Sequence, residues 1–211
     1  RRRAPTGDTA RVDHVRLTIA YQSGGVRRIA TSVKPATTGL IDTSLGDVQW
    51  TNPVNVSSSD DSKSIATFLG ASQTTGRLIA GGFFAGGDIP DNAYVEGIQV
   101  NVERKESNSA DNATDNEVKL WSNNAVSGLN RAMSTALEWS DGVVVSADET
   151  VNYGADSDTW GLILRGDDMR NLHVSIRANG TNAGAGDDQV LVDQVTMIAS
   201  YRLPGTAVTI P

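Results

Sequence analysis

The stretch Val12-Asp13-His14-Val15-Arg16-Leu17-Thr18-Ile19-Ala20-Tyr21 occurs a second time as Val192-Asp193-Gln194-Val195-Thr196-Met197-Ile198-Ala199-Ser200-Tyr201, 180 residues further on and without a gap. Val12, Asp13, Val15 and Tyr21 are matched by identical residues. In each copy the apolar side chains recur at every second position: Val15, Leu17, Ile19 and Tyr21 in the first, Val195, Met197, Ala199 and Tyr201 in the second. That is the period at which side chains of a β-strand share a face. Chance likeness between two amphipathic strands is one explanation. The other is that the first copy fills the second's place in a neighbouring unit, or closes a preceding repeat of the same domain.

The sequence between the copies fits an all-β body. The chain has 211 residues, 21 of them Gly, and only 5% aromatics. Many short Val-, Ile- and Thr-rich runs lie between Gly, Asn, Asp and Ser turns, and long helical periodicity is missing. The expected fold is an antiparallel two-sheet β-sandwich, jelly-roll-like, with an N-terminal strand-bearing arm. A chain of this length can bury a core without staples, and with no Cys it has no disulfide to rely on. No run of about 18 apolar residues is present, so no membrane span is expected. The sequence starts Arg1-Arg2-Arg3 without a Met, which suggests processing or a piece of something longer.

Charge divides the chain. Residues 1–34 hold eight basic and two acidic side chains, a net of +6, which leaves −13 for the remainder of a chain whose net charge is −7. The basic arm comprises Arg1, Arg2, Arg3, Arg11, Arg16, Arg27 and Arg28, together with Lys34. A basic arm on an acidic body favours docking of the arm onto another copy of the body. A solvated tail and contact with nucleic acid are the competing readings. The acidic body argues against nucleic acid as the main ligand, since it would repel backbone phosphates.

Along the chain, the expected organisation is a basic arm over 1–36 carrying an exchangeable strand at 12–21, a sandwich body over 37–203, and a C-terminal tail or linker over 204–211. Lys34-Pro35-Ala36-Thr37-Thr38-Gly39 has the composition of a boundary. In the body, Trp50 is expected as a core anchor, and Asn52-Pro53 as a bend. Ser57 to Ser64 is polar and reads as loop. Strands are expected at 65–69, 78–84, 94–105, 117–121, 142–146, 160–164, 172–178 and 190–201. The strongest is Tyr94 to Lys105, with Ile98, Val100 and Val102 on one face and Gln99, Asn101 and Glu103 on the other. Residues 129–137 read as a short helical turn or loop, and 151–158 as loop.

Several stretches resemble a loosely defined group of jelly-roll-like domains in phage structural proteins and in bacterial secreted or surface proteins of unassigned role. They are Val48-Gln49-Trp50-Thr51-Asn52-Pro53, Ile89-Pro90 ahead of Gly97 to Lys105, Trp160-Gly161-Leu162, and Val192-Asp193. The resemblance covers about residues 40–202. It is carried by packing and turn residues, so no site transfers with it. In that group the Val-Asp strand ends the domain; here a version also stands near the N-terminus, which points to a tandem or strand-sharing arrangement. The resemblance implies membership of an assembly, a virion appendage or an extracellular fibre, and hence an extracellular or virion location.

Chemistry is sparse. His14 and His173 both fall in expected strands, opposite the apolar set, with no second ligand nearby to suggest zinc. No cofactor is implied. The acidic turns, including Asp60-Asp61, match no twelve-residue calcium loop. The best candidate for calcium is the loop containing Asp111, Asp115 and Glu117, with solvated turns as the bland alternative. Trp121 and Trp139 are candidate platforms for a sugar, although so few aromatics are more readily spent on a core. Asn55, Asn112 and Asn179 head glycosylation sequons in expected loops. There is no nucleophile elbow, phosphate loop or dinucleotide fingerprint, so no enzyme is expected. The expected role is a structural subunit that self-associates through Val12, His14, Val15, Leu17, Ile19 and Tyr21, adding this strand to a neighbour's sheet. Its partners would be further copies of itself. The alternative is an adhesion module that binds cell-surface glycans or a receptor.

Overall fold

A computed structural model describes residues 28–107, 113–122, 125–126, 128–133, 138–140, 148–181 and 188–204. In chain order the strands are β1 (Ile29–Ala30), β2 (Lys34–Pro35), β3 (Thr38–Asp42), β4 (Ser64–Phe68), β5 (Gln73–Thr74), β6 (Arg77–Gly81), β7 (Tyr94–Glu106), β8 (Thr114–Ser122), β9 (Ala125–Val126), β10 (Glu149–Ala155), β11 (Leu172–Gly180) and β12 (Asp188–Arg202). Two short 3-10 turns, Pro53–Val56 and Asp168–Asn171, interrupt them. The strands form two antiparallel sheets. The first runs β1-β12-β7-β10, with β2 and β4 also on β12; the second runs β3-β6-β11-β8-β9, with β5 also on β11. The protein is an all-β two-sheet sandwich, as the turn-punctuated sequence led one to expect. No helix among the described residues is long and apolar enough to cross a membrane.

Period-two alternation explains the long strands. In β7, Ile98, Val100 and Val102 are fully buried while Gln99, Asn101 and Glu103 are only partly covered. In β12, Val190 and Val192 point inward, and after a register shift between Val192 and Gln194 so do Val195, Met197 and Ala199. The shift makes Asp193 an extra residue, a bulge, in the closing strand. Trp50 is 2% exposed and donates from Nε1 to the Gly76 carbonyl at 3.0 Å, which satisfies its one polar atom inside the core.

Two expectations need correction. Residues 149–155 form β10, paired with β7 along its length. Only Val151 and Tyr153 turn inward there, too short an alternation to stand out. Residues 160–164 are not a strand but a turn. Trp160 and Gly161 both have positive φ, 57° and 75°. The Trp160 amide donates to Asp158 Oδ1 (2.8 Å), and the Leu162 amide to the Thr159 carbonyl (2.9 Å). The turn plugs the Trp160 ring into the core, where Nε1 donates to the Ile98 carbonyl at 2.9 Å, and leaves Ile163 96% exposed. Of the arm expected over 1–36, residues 29–30 and 34–35 lie in the first sheet. β1 and β2 pair with β12 in the first sheet, and β3, two residues later, pairs with β6 in the second. Residues 129–133 are irregular, and 134–137 and 142–146 lie outside the described residues.

A buried charge cluster spans the gap between the sheets. Arg104 of β7 is 2% exposed and faces inward. Its guanidinium bonds Asp115 of β8 and Tyr153 of β10, and donates from Nε to Glu149 at 3.0 Å. Trp139 Nε1 donates to Asp115 Oδ1 (2.9 Å) and its ring lies 4.6 Å from the Arg104 Cζ. Burial, with Asp115 beside it, pushes the Tyr153 hydroxyl pKa upward, so it stays a donor. Asp115 points inward because β8 shifts register between Asp115 and Glu117, against Ala178 and Arg177 of β11. Removing one member strands the other charge. Asp115→Ala is expected to cost about 3–5 kcal/mol in urea unfolding, with the double replacement Arg104→Met/Asp115→Leu losing less than Asp115→Ala alone.

Candidate functional site: the β3 edge and its outer face

β12 and β3 differ in how their sides are covered. The side of β12 away from β7 is filled by the chain itself. β4 covers residues 188–192, Ser57 bridges Gln194, the Ala36 amide donates to Val195, β2 covers 196–197, the Thr31 amide donates to Ala199, and β1 covers 200–201. By contrast, β3 pairs on one side only, with β6, among the described residues. Its far side is flanked by apolar side chains. Leu40 is 56% and Val54 63% exposed, and Leu45 in the following turn is exposed as well. Gly39 faces the Pro53–Val56 turn so closely that a Cβ there would lie 1.7 Å from the Pro53 carbonyl oxygen. Leu40 and Val54 therefore lie on opposite faces of the edge.

On the outer face of this sheet the pairing sets up two rows. Leu40, Ile79, Ser175 and Lys119 form one; Thr38, Gly81, His173 and Trp121 form the other. Gly81 lacks the Cβ that would collide with the His173 ring at 2.1 Å, so the imidazole lies over its backbone. His173 Nδ1 sits 3.0 Å from the Asn171 carbonyl oxygen. Leu40, Ile79, Trp121 and His173 together line an open apolar depression. It is shallow and open, unlike the enclosed pockets of about 300–1,000 Å³ that take drug-sized ligands.

A polar rail borders it. Arg77 reaches Glu117 (2.8 Å) and Asp42 (3.0 Å), and its Cζ lies 5.9 Å from the Trp121 ring centroid. Glu117 also accepts from Ser175 Oγ at 3.0 Å, with Lys119 3.5 Å away. Burial alone would raise the Glu117 pKa, but the Arg77 hydrogen bond and charge, with Ser175 and Lys119, hold it below the ordinary 4.5.

The expected site residues are dispersed. Arg1, Arg2, Arg3, Arg11, Arg16, Arg27, Val12, His14, Val15, Leu17, Ile19, Tyr21, Asp111 and Asn112 lie outside the described residues. Arg28 is described and pairs with its own body, at Glu96 (3.1 Å) and Asp156 (3.4 Å). Arg202 grips the same Glu96 at 2.8 Å. Asp115 and Glu117, expected as joint calcium ligands, are separated by the bulge: Asp115 belongs to the interior cluster and Glu117 to the outer rail. Trp139 is 1% exposed and offers no face to a sugar. Trp121 remains at the surface depression. Asn179 lies in β11, not a loop, and its Oδ1 accepts from Thr74 Oγ1 and Asn116 Nδ2; Asn55 sits in a 3-10 turn and donates to the Lys63 carbonyl. Sequence reading missed the roles of Leu40 and Val54, because single exposed apolar residues carry no periodic signal, and that of Ile79, which is covered and reads as an ordinary strand residue.

No family model matches the chain, and no curated protein matches it.

Because the folded-state pKa of Glu117 is depressed, its contribution to stability is present above its unfolded value and is lost as pH falls through the folded one. Stability measured by denaturant titration from pH 7 downward is expected to decline below about pH 4.5, and Glu117→Gln to flatten part of that decline.

Proposed function

We propose that this protein is a non-enzymatic structural subunit that assembles with copies of itself, in an extracellular fibre or a phage virion appendage. Each copy lays its 12–21 segment along β3 of the next. The observation that carries the reading is the open side of β3: β12 is flanked by its own chain on both sides, while β3, like β10, pairs on one side only among the described residues and lies amid exposed Leu40, Leu45 and Val54. An open apolar edge on a lone subunit invites another strand. Backbone hydrogen bonds contribute only about 0.5–1.5 kcal/mol each net of water, so the added strand needs apolar burial too. The alternating Val15, Leu17, Ile19 and Tyr21 suit that, since a strand on β3 meets Leu40 on one face and Val54 on the other. Arg28 and Lys34 pair within their own body, which leaves residues 1–27 with six basic and two acidic side chains, a net of +4 drawn to the acidic remainder. Such a contact is head-to-tail and closes into a ring or runs on as a filament.

The measurement is the molar mass in solution by light scattering, for the full chain and for the chain lacking residues 1–25. The full chain is expected to form a multimer that the truncation reduces to single copies, and Leu40→Lys with Val54→Lys is expected to have the same effect. An unchanged mass on truncation removes the proposal. One observation favours a second reading, a glycan-binding module: Trp121 lines the open depression beside His173. Binding on a glycan array that disappears with Trp121→Ala, in a protein whose mass is unaffected by truncation, would establish that reading instead.

A further inference from the structure

We propose that Lys63 is joined to Asp148 by an intramolecular amide bond, formed by the folded chain itself with Asp193 as the participating acid. The inference stands apart from the assembly reading and rests on a different part of the molecule.

Lys63 precedes β4 and Asp148 precedes β10, the outer strands on either side of the β12–β7 pair. The Lys63 side chain is 7% exposed, and its Nζ lies 2.7 Å from Asp148 Oδ2, 3.0 Å from Asp61 and 3.8 Å from Asp193. Carboxylate oxygens of the three aspartates lie within 4.8 Å of one another. Asp148 and Asp193 are buried, at 5% and 2% exposure, whereas the Asp61 side chain is 92% exposed. Asp193 is the bulge residue of β12. Its Oδ2 accepts the Asp61 amide at 3.1 Å, and its Oδ1 is buried with no hydrogen-bond partner among the described residues. Lys105 Nζ stands 2.9 Å from Asp148 Oδ1.

Each group has a role in condensation. Asp148 is the acceptor because it is the nearest carboxyl and is shielded from water, which would reverse the reaction at Asp61. The Lys63 ammonium passes a proton to the Asp148 carboxylate within the ion pair. The free amine then attacks Asp148 Cγ, and a C–N bond forms. Lys105 steadies the negative charge that develops on Oδ1. Asp193 gives its proton to the departing oxygen, the C–O bond breaks, and water leaves. Asp193 recovers its proton from the attacking nitrogen. The balance is one ammonium and one carboxylate converted to one amide and one water, with no outside reagent. Burial and the nearby charge of Glu103 raise the Asp193 pKa against the pull of the Asp61 amide and Lys63, which favours the proton-bearing form this role needs. Amide formation from separate ions in water is unfavourable, but fixing amine and acid in contact supplies effective molarities of about 10⁵–10⁸ M.

Mass spectrometry of the intact, denatured full chain tests this directly. The expected mass is about 18 Da, one water, below that of the sequence, and a tryptic digest should contain one branched peptide joining the Lys63 and Asp148 segments. Lys63→Arg keeps the charge but cannot condense in the same way, and is expected at full sequence mass, as is Asp193→Asn. A wild-type chain at full mass overturns the proposal, whether or not the variants fold. A deficit that persists in Lys63→Arg assigns the lost water elsewhere and overturns it too; one that persists in Asp193→Asn overturns the part given to Asp193.

Discussion

The guanidinium of Arg104 is the interaction the rest of the sandwich is built around. It stands on the inner face of β7 in the first sheet and bonds Asp115 on the inner face of β8 in the second. Much of the remaining contact between the sheets is non-directional apolar packing, which by itself leaves their relative placement loosely specified. A charged pair with few geometries open to it fixes that placement more tightly. Its surroundings complete it: Tyr153 and Trp139 donate to Asp115, Glu149 takes the Nε, and the Met133 amide donates to the second Asp115 oxygen. A charge held out of water in this way has to be fully partnered, because a half-satisfied network is worse than an apolar core.

Two irregularities in the ladders serve charged groups. In β8 the extra residue turns Asp115 inward while keeping Glu117 outward, so one strand supplies both the interior cluster and the outer rail. In β12 the extra residue is Asp193, which leaves Val192 and Val195 both in the core and puts a carboxyl beside Lys63. Without these shifts, strict alternation would force a choice between apolar burial and the placement of the acid.

The long strands were legible in the sequence because their alternation runs over many residues. β7 and β12 each bury one face almost completely, and the chain shows it. The missed elements fail for identifiable reasons. The apolar run at 160–164 is spent on plugging one Trp into the core through a tight turn, so its composition looks like a strand while its backbone, with positive φ at Trp160, is not. β10 offers only Val151 and Tyr153 as inward residues. Asp115 reads as a calcium candidate or a solvated turn and Asp193 as one residue of the closing strand, and neither letter looks different when its partner is a buried Arg or Lys brought from far along the chain. Lys63 stands in a polar stretch that reads as loop, yet its side chain is covered. The open edge at β3 was invisible because an edge is a property of the finished sheet.

Ile29 is paired with Tyr201, and Arg28 and Arg202 hold the same carboxylate of Glu96, so the chain enters and leaves the described body at one end of β12. Tension applied between these two points would meet the pairs β1–β12 and β2–β12 in succession, peeling them one after another instead of shearing them together. The body is mechanically weak in that direction, and the first thing a pulling force undoes is the grip of two arginines on one glutamate.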